Sequence, residues 1–322
     1  MDTGLLSGLP TKDVALLEVF ALVTAALLLS RIRPLPLRYD PFYWLAQLAS
    51  QIAGKAAHTQ RSNTQQYTAG TLATLLLVLP FGSIVVFIPL LAAYPWFFEL
   101  VILYFCFNDS GINRLCNQVA DNLERDDKAS AKALLAERVP QSVSQLSATG
   151  LSKTAIELVL HRPAVNLIGV SLAFFAGGLT FAILLRMLTT IAAQWPAHSP
   201  TGRFGKPVNL LSGLLMWFPD LLWALLLALQ GGPATLITWL KPRPVFLSRS
   251  VTTGSRALAI ELGGPQMFGN IKVSRAKTPL PALPGSQDIR RAVSLSRTAA
   301  GYYSALLICL PLLWILIRLY AH

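Results

Sequence analysis

The chain has 322 residues, of which 53% are hydrophobic and only 13% are charged, and its formal net charge is +12. A soluble domain carries about 25% charged residues, so this composition excludes an ordinary soluble enzyme and indicates an integral membrane protein. Basic loops beside anionic lipid account for the positive charge, and we therefore expect membrane lipid and no nucleic acid as a partner.

The longest uncharged stretch lies between Arg61 and Glu99. It contains Thr71–Leu91, which meets the length of about 20 apolar residues that a helix needs to cross a hydrocarbon core. The fold class predicted from this pattern is an all-α polytopic membrane bundle. It has about six spans, at Val14–Ser30, Thr71–Leu91, Pro95–Phe107, Val165–Ile191, Leu210–Leu229 and Tyr302–Ile317.

The segments between these spans divide the chain into regions. Residues 108–164 are balanced in charge and show apolar residues at helical spacing, which is typical of amphipathic helices packed on one another. The segment before the last span is basic and rich in Gly and Pro, and we consider both a lipid-facing loop and a lid over an anionic ligand. The predicted regions are 1–107 (N-terminal membrane helices and hairpin), 108–164 (cytoplasmic helices), 165–229 (central membrane helices), 230–301 (basic loop) and 302–322 (C-terminal membrane helix).

Charge in the connections predicts the orientation. Residues 31–68 and 241–301 both carry an excess of Lys and Arg. With six spans they fall on the same side of the membrane, and the positive-inside rule makes that side cytoplasmic. The weakly charged connection 192–209 and both termini are then outside, and we expect a multi-pass protein of the cell's inner membrane.

The charged residues within the long predicted spans are Glu18, Arg186 and Asp220, and Glu99 lies in the short third span. Such residues are functional candidates by default, because an ionised group in lipid is costly without a partner. Arg186 is near the predicted outer end of its span and could extend to the interface. Asp220 follows Pro219 in mid-span and needs a partner, so we consider an Arg186–Asp220 ion pair, with an ion or substrate pathway as the alternative.

Other kinds of site find little support. The three cysteines and four histidines are scattered without ligand spacing, so we predict neither a metal site nor a disulfide framework. Nucleotide-binding glycine motifs and the HExxH motif are also absent from the sequence.

Several short motifs occur in a recognisable order. They are Arg-Tyr-Asp-Pro-Phe-Tyr-Trp-Leu-Ala at 38–46, Leu-Ser-Lys-Thr-Ala-Ile-Glu at 151–157, Gly-Gly at 177–178, Arg-Phe-Gly at 203–205, Leu-Gly-Gly-Pro at 262–265 and Asp-Ile-Arg-Arg-Ala at 288–292. Their order resembles that of the CbiB/CobD family, the membrane-bound adenosylcobinamide-phosphate synthases of cobalamin biosynthesis, whose superfamily includes the AmpE-like proteins.

The polar motifs of that family are largely lost here. The His of the family's Trp-His-Pro element is Asp40 in this chain. The family's Glu-Asn-x-x-Asp-Gly, Tyr-Arg-x-x-Asn-Thr-x-Asp-Ser and Asp-Asp-x-x-Asn motifs fall on positions where few polar groups remain. These positions are His161, Arg162, Val165 and Asn166; Leu185, Arg186, Thr189, Thr190, Ala192 and Ala193; and Ser212, Gly213 and Met216.

The resemblance implies candidate site residues. Asp40 and Glu157 are the remnant candidates for catalysis. Mg²⁺ and ATP are expected only if synthase activity survives, and a corrinoid or a protein is a possible partner. The candidates for ligand binding are Arg186, Thr190, Arg203, Gly263 and Gly264.

Three functions follow from these observations. The first is a non-catalytic, AmpE-like sensor, accessory subunit or signalling protein. The second is an active synthase that joins aminopropanol phosphate to adenosylcobyric acid with ATP, which requires Asp40 and Glu157 to meet in one cytoplasmic-facing cleft. The third is a transporter or channel that uses Arg186 and Asp220, which requires a polar cavity at the membrane midplane.

Overall fold

The computed structural model describes residues 11–57, 60–109, 111–241 and 244–320. These residues form helices joined by short turns, with a single small hairpin of strands. The helices are α1 Thr11–Ile32, α2 Pro41–Ala56, α3 Asn63–Leu91, α4 Pro95–Phe107, α5 Ile112–Glu124, α6 Lys128–Ala136, α7 Ala148–Pro163, α8 Val170–Gln194, α9 Gly202–Ala228, α10 Gly232–Thr238, α11 Arg249–Leu258 and α12 Ser286–Tyr320. A 3-10 helix covers Leu37–Tyr39, a π-helical segment covers Ala164–Gly169, and the antiparallel strands are β1 Gln266–Phe268 and β2 Ile271–Val273.

The all-α membrane bundle predicted from the sequence is confirmed. Four helical stretches of the described chain are long and apolar enough to cross a membrane: Asn63–Leu91, Ala148–Gln194, Gly202–Ala228 and Ser286–Arg318. The predicted third span is the helix α4, which has 13 residues. At about 1.5 Å per residue it is about 20 Å long, which is shorter than the hydrocarbon core.

The stretch Ala148–Gln194 reverses direction at Gly177–Gly178. Gly178 has φ 66° and ψ −158°, a backbone conformation that is essentially restricted to glycine. A Cβ added at Gly169 would lie 3.2 Å from the Cδ2 atom of Leu185. In a continuous helix these two residues would be about 24 Å apart along the axis, so α8 must fold back on itself. The predicted span Val165–Ile191 is therefore a helical hairpin.

This reversal corrects the expected topology. Trp195 donates its indole Nε1–H to the carbonyl oxygen of Ala49 over 2.8 Å, and His198 Nε2 lies 2.6 Å from Gln266 Oε1. The connection 192–209 therefore lies beside residues 31–68 and 241–301, at the end of the bundle opposite to the one expected from the sequence. The reason is that a hairpin returns the chain to the end of the bundle from which it came.

The last predicted span, Tyr302–Ile317, lies in the second half of α12, a 35-residue helix that begins at Ser286. The first half of α12 packs on α7, where the Ser296 hydroxyl donates to the carbonyl of Val159 over 3.1 Å.

The amphipathic face predicted for α5 is buried, and it includes the thiol of Cys116. Burial raises the pKa of this thiol to about 12.

The basic loop is held against α7 by ion pairs. Arg275 Nη2 lies 2.7 Å from Glu157 Oε2, and Lys153 Nζ lies 2.5 Å from Glu261 Oε1. Lys277 adds a second cation at 3.2 Å from Glu261, and these partners lower the pKa of that carboxyl. The loop is thus packed on α7 and brings the start of α11 to a fixed place beside α9.

The corrected topology predicts the result of labelling with a membrane-impermeant maleimide. In a Cys309→Ser background, Ala197→Cys and Lys55→Cys should react from the same side of the membrane. Tyr94→Cys, in the turn beyond the 29-residue helix α3, should react from the opposite side. The native Cys106 and Cys116 are buried and should stay unlabelled. Labelling of Ala197→Cys from the same side as Tyr94→Cys would contradict the hairpin.

Candidate functional site

A cleft of about 770 Å³ opens where the hairpin, α9 and the packed loops meet. Its walls come from the start of α2, the turn after α4, the end of α6, the end of α7, the second arm of α8, the middle of α9 and the start of α11. One wall is apolar and aromatic, with Phe42, Tyr43, Met216 and Trp217. The charged residues that line it are Asp40, Asp109, Glu137, Arg138, Arg162, Arg186, Asp220 and Arg249.

Asn108 joins three of the elements around this cleft. It is fully buried, and its Nδ2 donates to Asp40 Oδ2 over 3.0 Å. Its carbonyl oxygen accepts from Asn166 Nδ2 at 3.0 Å and from Arg186 Nη2 at 3.5 Å. A buried amide group has to be hydrogen-bonded, so this residue ties the start of α2 to the π-helical segment and to α8.

Asp40 lines the cleft but its carboxylate is also the cap of α2. Oδ1 accepts from the backbone N–H of Phe42 at 2.9 Å, and Pro41 occupies the first helical position. This arrangement is the usual start of a helix, in which a side-chain oxygen satisfies a free N–H group. Asp40 is therefore committed to structure through both of its oxygens, since Oδ2 accepts from Asn108.

Arg186 does not extend to a membrane interface as predicted. Its side chain is 3% exposed, it lines the cleft, and its guanidinium carbon lies 4.8 Å from the centre of the Phe42 ring. The prediction failed because the hairpin carries Arg186 back into the protein beside α2. Thr190, one turn later, also lines the cleft and donates its hydroxyl to the Arg186 carbonyl over 2.7 Å.

Asp220 finds its partner at the start of a helix and not in Arg186. Its Oδ2 accepts from the backbone N–H of Arg249 at 2.8 Å, and its Oδ1 from that of Ser250 at 3.2 Å. The free N–H groups and the positive end of the dipole of α11 both stabilise a carboxylate there. The proposed Arg186–Asp220 ion pair is therefore wrong, although both residues line the cleft.

Glu157 lies outside the cleft. Its carboxylate accepts from Arg275 Nη2 at 2.7 Å through both oxygens and from the backbone N–H of Gly263 at 2.8 Å. The next residue, Leu158, lines the cleft. Asp40 and Glu157 thus do not meet in one site, because the carboxylate of Glu157 is turned towards the basic loop.

Gly263 and Gly264 serve the packing of this loop. Their φ angles are 82° and 107°, which favour glycine, and a Cβ at Gly263 would be 2.3 Å from the carbonyl oxygen of Ala276. Neither residue lines the cleft. Two further candidates also lie elsewhere: Arg203 is exposed at the start of α9, and Glu18 is exposed on α1.

The positions of the lost family motifs converge on the cleft. One set comes from the end of α7 and the π-helical segment, a second from the returning arm of α8, and a third from the middle of α9. The motif positions that line it are His161, Arg162 and Val165; Arg186, Thr189, Thr190, Ala192 and Ala193; and Ser212, Gly213 and Met216. The cleft therefore keeps the place of the family's polar motifs while the side chains are mostly apolar, small or cationic.

The side chains of the cleft do not fit Mg²⁺, which takes an octahedral shell of oxygen ligands. No group of three or more His, Cys, Asp or Glu residues in the described part of the chain could hold a metal ion. The carboxylates of Asp40, Asp109 and Asp220 each accept from a backbone N–H group. A divalent cation in the cleft would also be repelled by the arginines that line it.

The residues of the cleft that reasoning from the sequence missed include Asn108, Arg138, Arg162 and Arg249. Arg162 carried a signal, since a cation replaces the amide of a family motif there. Asn108 and Arg138 lie just beyond helix ends and Arg249 is the first residue of α11, and none of the three belongs to a motif. Burial lowers the pKa of Arg138 and the nearby Asp109 opposes this shift. An arginine remains cationic at neutral pH in such a setting, so Arg138 adds positive charge to the cleft.

Replacement of Asp220 tests the capping contact. Asp220→Ala leaves two backbone N–H groups at the start of α11 without their acceptor and should lower the free energy of unfolding by about 1–3 kcal/mol. Glu18→Ala is a matched control, because Glu18 is also a carboxylate in an apolar helix but is exposed. Thermal unfolding in detergent measures both variants. Equal melting temperatures for the two would contradict the capping role.

The chain is similar to known proteins over most of its length. Residues 23–296 match the family model described as CobD/Cbib protein. The Cobalamin biosynthesis protein CobD of Stutzerimonas stutzeri is 26% identical over 302 residues, which cover 91% of this chain and 98% of that protein. The Cobalamin biosynthesis protein CobD of Chromobacterium violaceum is 24% identical over 290 residues, which cover 87% and 93%.

A third protein of the same name, from Streptococcus sanguinis, is 24% identical over 225 residues, which cover 64% of this chain and 70% of that protein. No solved structure matches the chain. Since the family model covers more than half of the chain and the relatives align over most of it, the chain belongs to the CobD/CbiB protein family.

Proposed function

We propose that this chain is a non-catalytic member of the CobD/CbiB family that acts in the membrane as a sensor, accessory subunit or signalling protein, as the AmpE-like proteins are thought to do. One observation carries the proposal. The positions of the family's polar motifs line a single cleft, and carboxylate and amide side chains are missing from most of them.

The chemistry of the family reaction explains why this loss matters. The family joins aminopropanol phosphate to a corrinoid carboxylate with ATP, and phosphoryl chemistry of this kind depends on Mg²⁺ and on groups that position the phosphates. Val165, Ala192 and Met216 stand at motif positions of the cleft, and their side chains carry no oxygen that could bind Mg²⁺. Asp40, the candidate catalytic acid that lines the cleft, accepts hydrogen bonds from the backbone of Phe42 and from Asn108.

An active synthase is the second candidate. In its favour, the cleft has a volume of about 770 Å³, which is within the usual range for small-molecule sites, and it keeps Asp40, Arg186 and Thr190. Against it, the two candidate catalytic carboxylates are separated, because Glu157 is paired with Arg275 outside the cleft. The non-catalytic function accounts for both the preserved cleft and the missing ligands.

A synthase assay tests the proposal directly. Purified protein in nanodiscs should form no amide product from adenosylcobyric acid, aminopropanol phosphate and Mg·ATP, because the phosphates lack their metal and positioning groups. The CobD protein of Stutzerimonas stutzeri, assayed in parallel, shows whether the conditions permit turnover. Product at a rate similar to that of this relative would overturn the proposal and favour the active synthase.

Replacement of Glu157 separates its structural role from a catalytic one. Glu157→Gln should lower the free energy of unfolding by about 1–3 kcal/mol, because the largely buried guanidinium group of Arg275 loses its charged partner. Titration of the variant with a corrinoid should give the same result as the parent protein. Unchanged stability together with altered corrinoid binding would show that Glu157 belongs to the ligand site instead.

A further inference from the structure

Arg186 has hydrogen-bond donors that the protein does not use. Its side chain is 3% exposed and lines the cleft. Its Nη2 is 3.5 Å from the carbonyl oxygen of Asn108, at the limit of a hydrogen bond, and its Nε has no partner among the described residues. A buried guanidinium group with unused donors is costly unless an acceptor binds there.

Arg162 lines the same cleft as Arg186 and is also without a partner among the described residues. Its guanidinium makes no hydrogen bond or ion pair within the part of the chain that the structure describes. The positive charges of Arg186 and Arg138 act on it, and the negative charges of Asp40 and Asp109 offset them in part. Two adjacent cations in a cleft of low dielectric repel each other, so an anion between them would stabilise the arrangement.

Neither Arg162 nor Arg186 forms an ion pair with a carboxylate of the cleft within the described residues, although the charges of Asp40 and Asp109 act on both arginines. Asp40 and Asp220 accept from backbone N–H groups at the starts of α2 and α11, and Asp109 accepts from the backbone N–H of Gly111 at 2.9 Å. Arg249, in contrast, already donates to the carbonyl of Trp239 at 3.0 Å. Unused donors thus remain on both Arg162 and Arg186.

We propose that the cleft binds a phosphate-bearing anion without a divalent cation, and that the guanidinium groups of Arg162 and Arg186 hold its oxygens. The planar fork of arginine matches phosphate geometry and donates through two N–H groups at once. The wall formed by Phe42, Tyr43 and Trp217 faces the same space and suits an apolar part of the ligand. This inference rests on the proposed function, since it takes the cleft as a binding site without a catalytic metal.

Titration with inorganic pyrophosphate tests this site. The protein is placed in nanodiscs of neutral phosphatidylcholine with EDTA present, and the heat of binding is measured. Saturable binding is expected, and Arg162→Gln should weaken it by at least about tenfold, because charge-assisted hydrogen bonds are lost. Arg114→Gln, an exposed arginine of α5 outside the cleft, is the matched control and should bind like the parent.

A second variant guards against misfolding. Arg162→Lys keeps the charge but loses the planar fork, so it should bind more weakly than the parent and more tightly than Arg162→Gln. A melting curve shows whether each variant is folded. The proposal is overturned if pyrophosphate does not bind in EDTA, if binding requires added Mg²⁺, or if Arg162→Gln and Arg114→Gln behave alike.

A change in the lipid composition of the nanodiscs distinguishes a lipid headgroup from a soluble phosphorylated molecule as the source of the phosphate group. If replacing part of the phosphatidylcholine with phosphatidylglycerol weakens pyrophosphate binding, a lipid headgroup competes for the site. If it has no effect, the ligand is a soluble phosphorylated molecule, and both results support the anion site. Failure of this inference differs from failure of the proposed function, because only the latter is overturned by amide product in the synthase assay.

Discussion

Gly178 adopts a φ of 66° that side chains disfavour, and the hairpin on either side of it determines which residues of this protein can meet. Because the chain turns back there, Leu185 packs on Gly169 and the arm that carries Arg186 and Thr190 returns to the cleft. In a straight helix these residues would lie at the far end of the bundle. The close packing of small residues is what allows two arms to run side by side in a membrane.

Backbone N–H groups donate hydrogen bonds to the carboxylates of Asp40, Asp220 and Glu157. Asp40 and Asp220 each cap a helix, and Glu157 accepts from the backbone of Gly263 in addition to its ion pair with Arg275. Such contacts satisfy a carboxylate without a metal. The acids therefore hold the cleft in shape, while Arg186 keeps a donor in the cleft that no described residue uses. These two features are the physical basis for the proposed non-catalytic function.

The sequence predicted those features that depend on length and periodicity. The apolar run of α3 and the amphipathic face of α5 are local patterns, and both are present as expected. The fold class and the family resemblance also hold, since each rests on features spread over the whole chain.

The contacts that build the cleft could not be predicted from length and periodicity. Hydropathy does not report the direction of a chain, so Gly177–Gly178 was recognised as a family motif and not as a reversal, and Arg186 was placed at the wrong end. The partner of Glu157 is Arg275, more than a hundred residues away, and nothing local in either segment indicates that contact. Asn108, Arg138 and Arg249 became candidates only when the helices were placed around them.

The central claim is that the cleft keeps the place of the family's motifs but cannot hold a catalytic metal. Electron paramagnetic resonance of Mn²⁺, a spectroscopic substitute for Mg²⁺, measures this directly in the presence of ATP and purified protein in nanodiscs. We expect the signal of Mn²⁺·ATP to stay unchanged when the protein is added in large excess over Mn²⁺. Stoichiometric loss of that signal, restored by Asp40→Ala, would show a functional metal site and contradict the account.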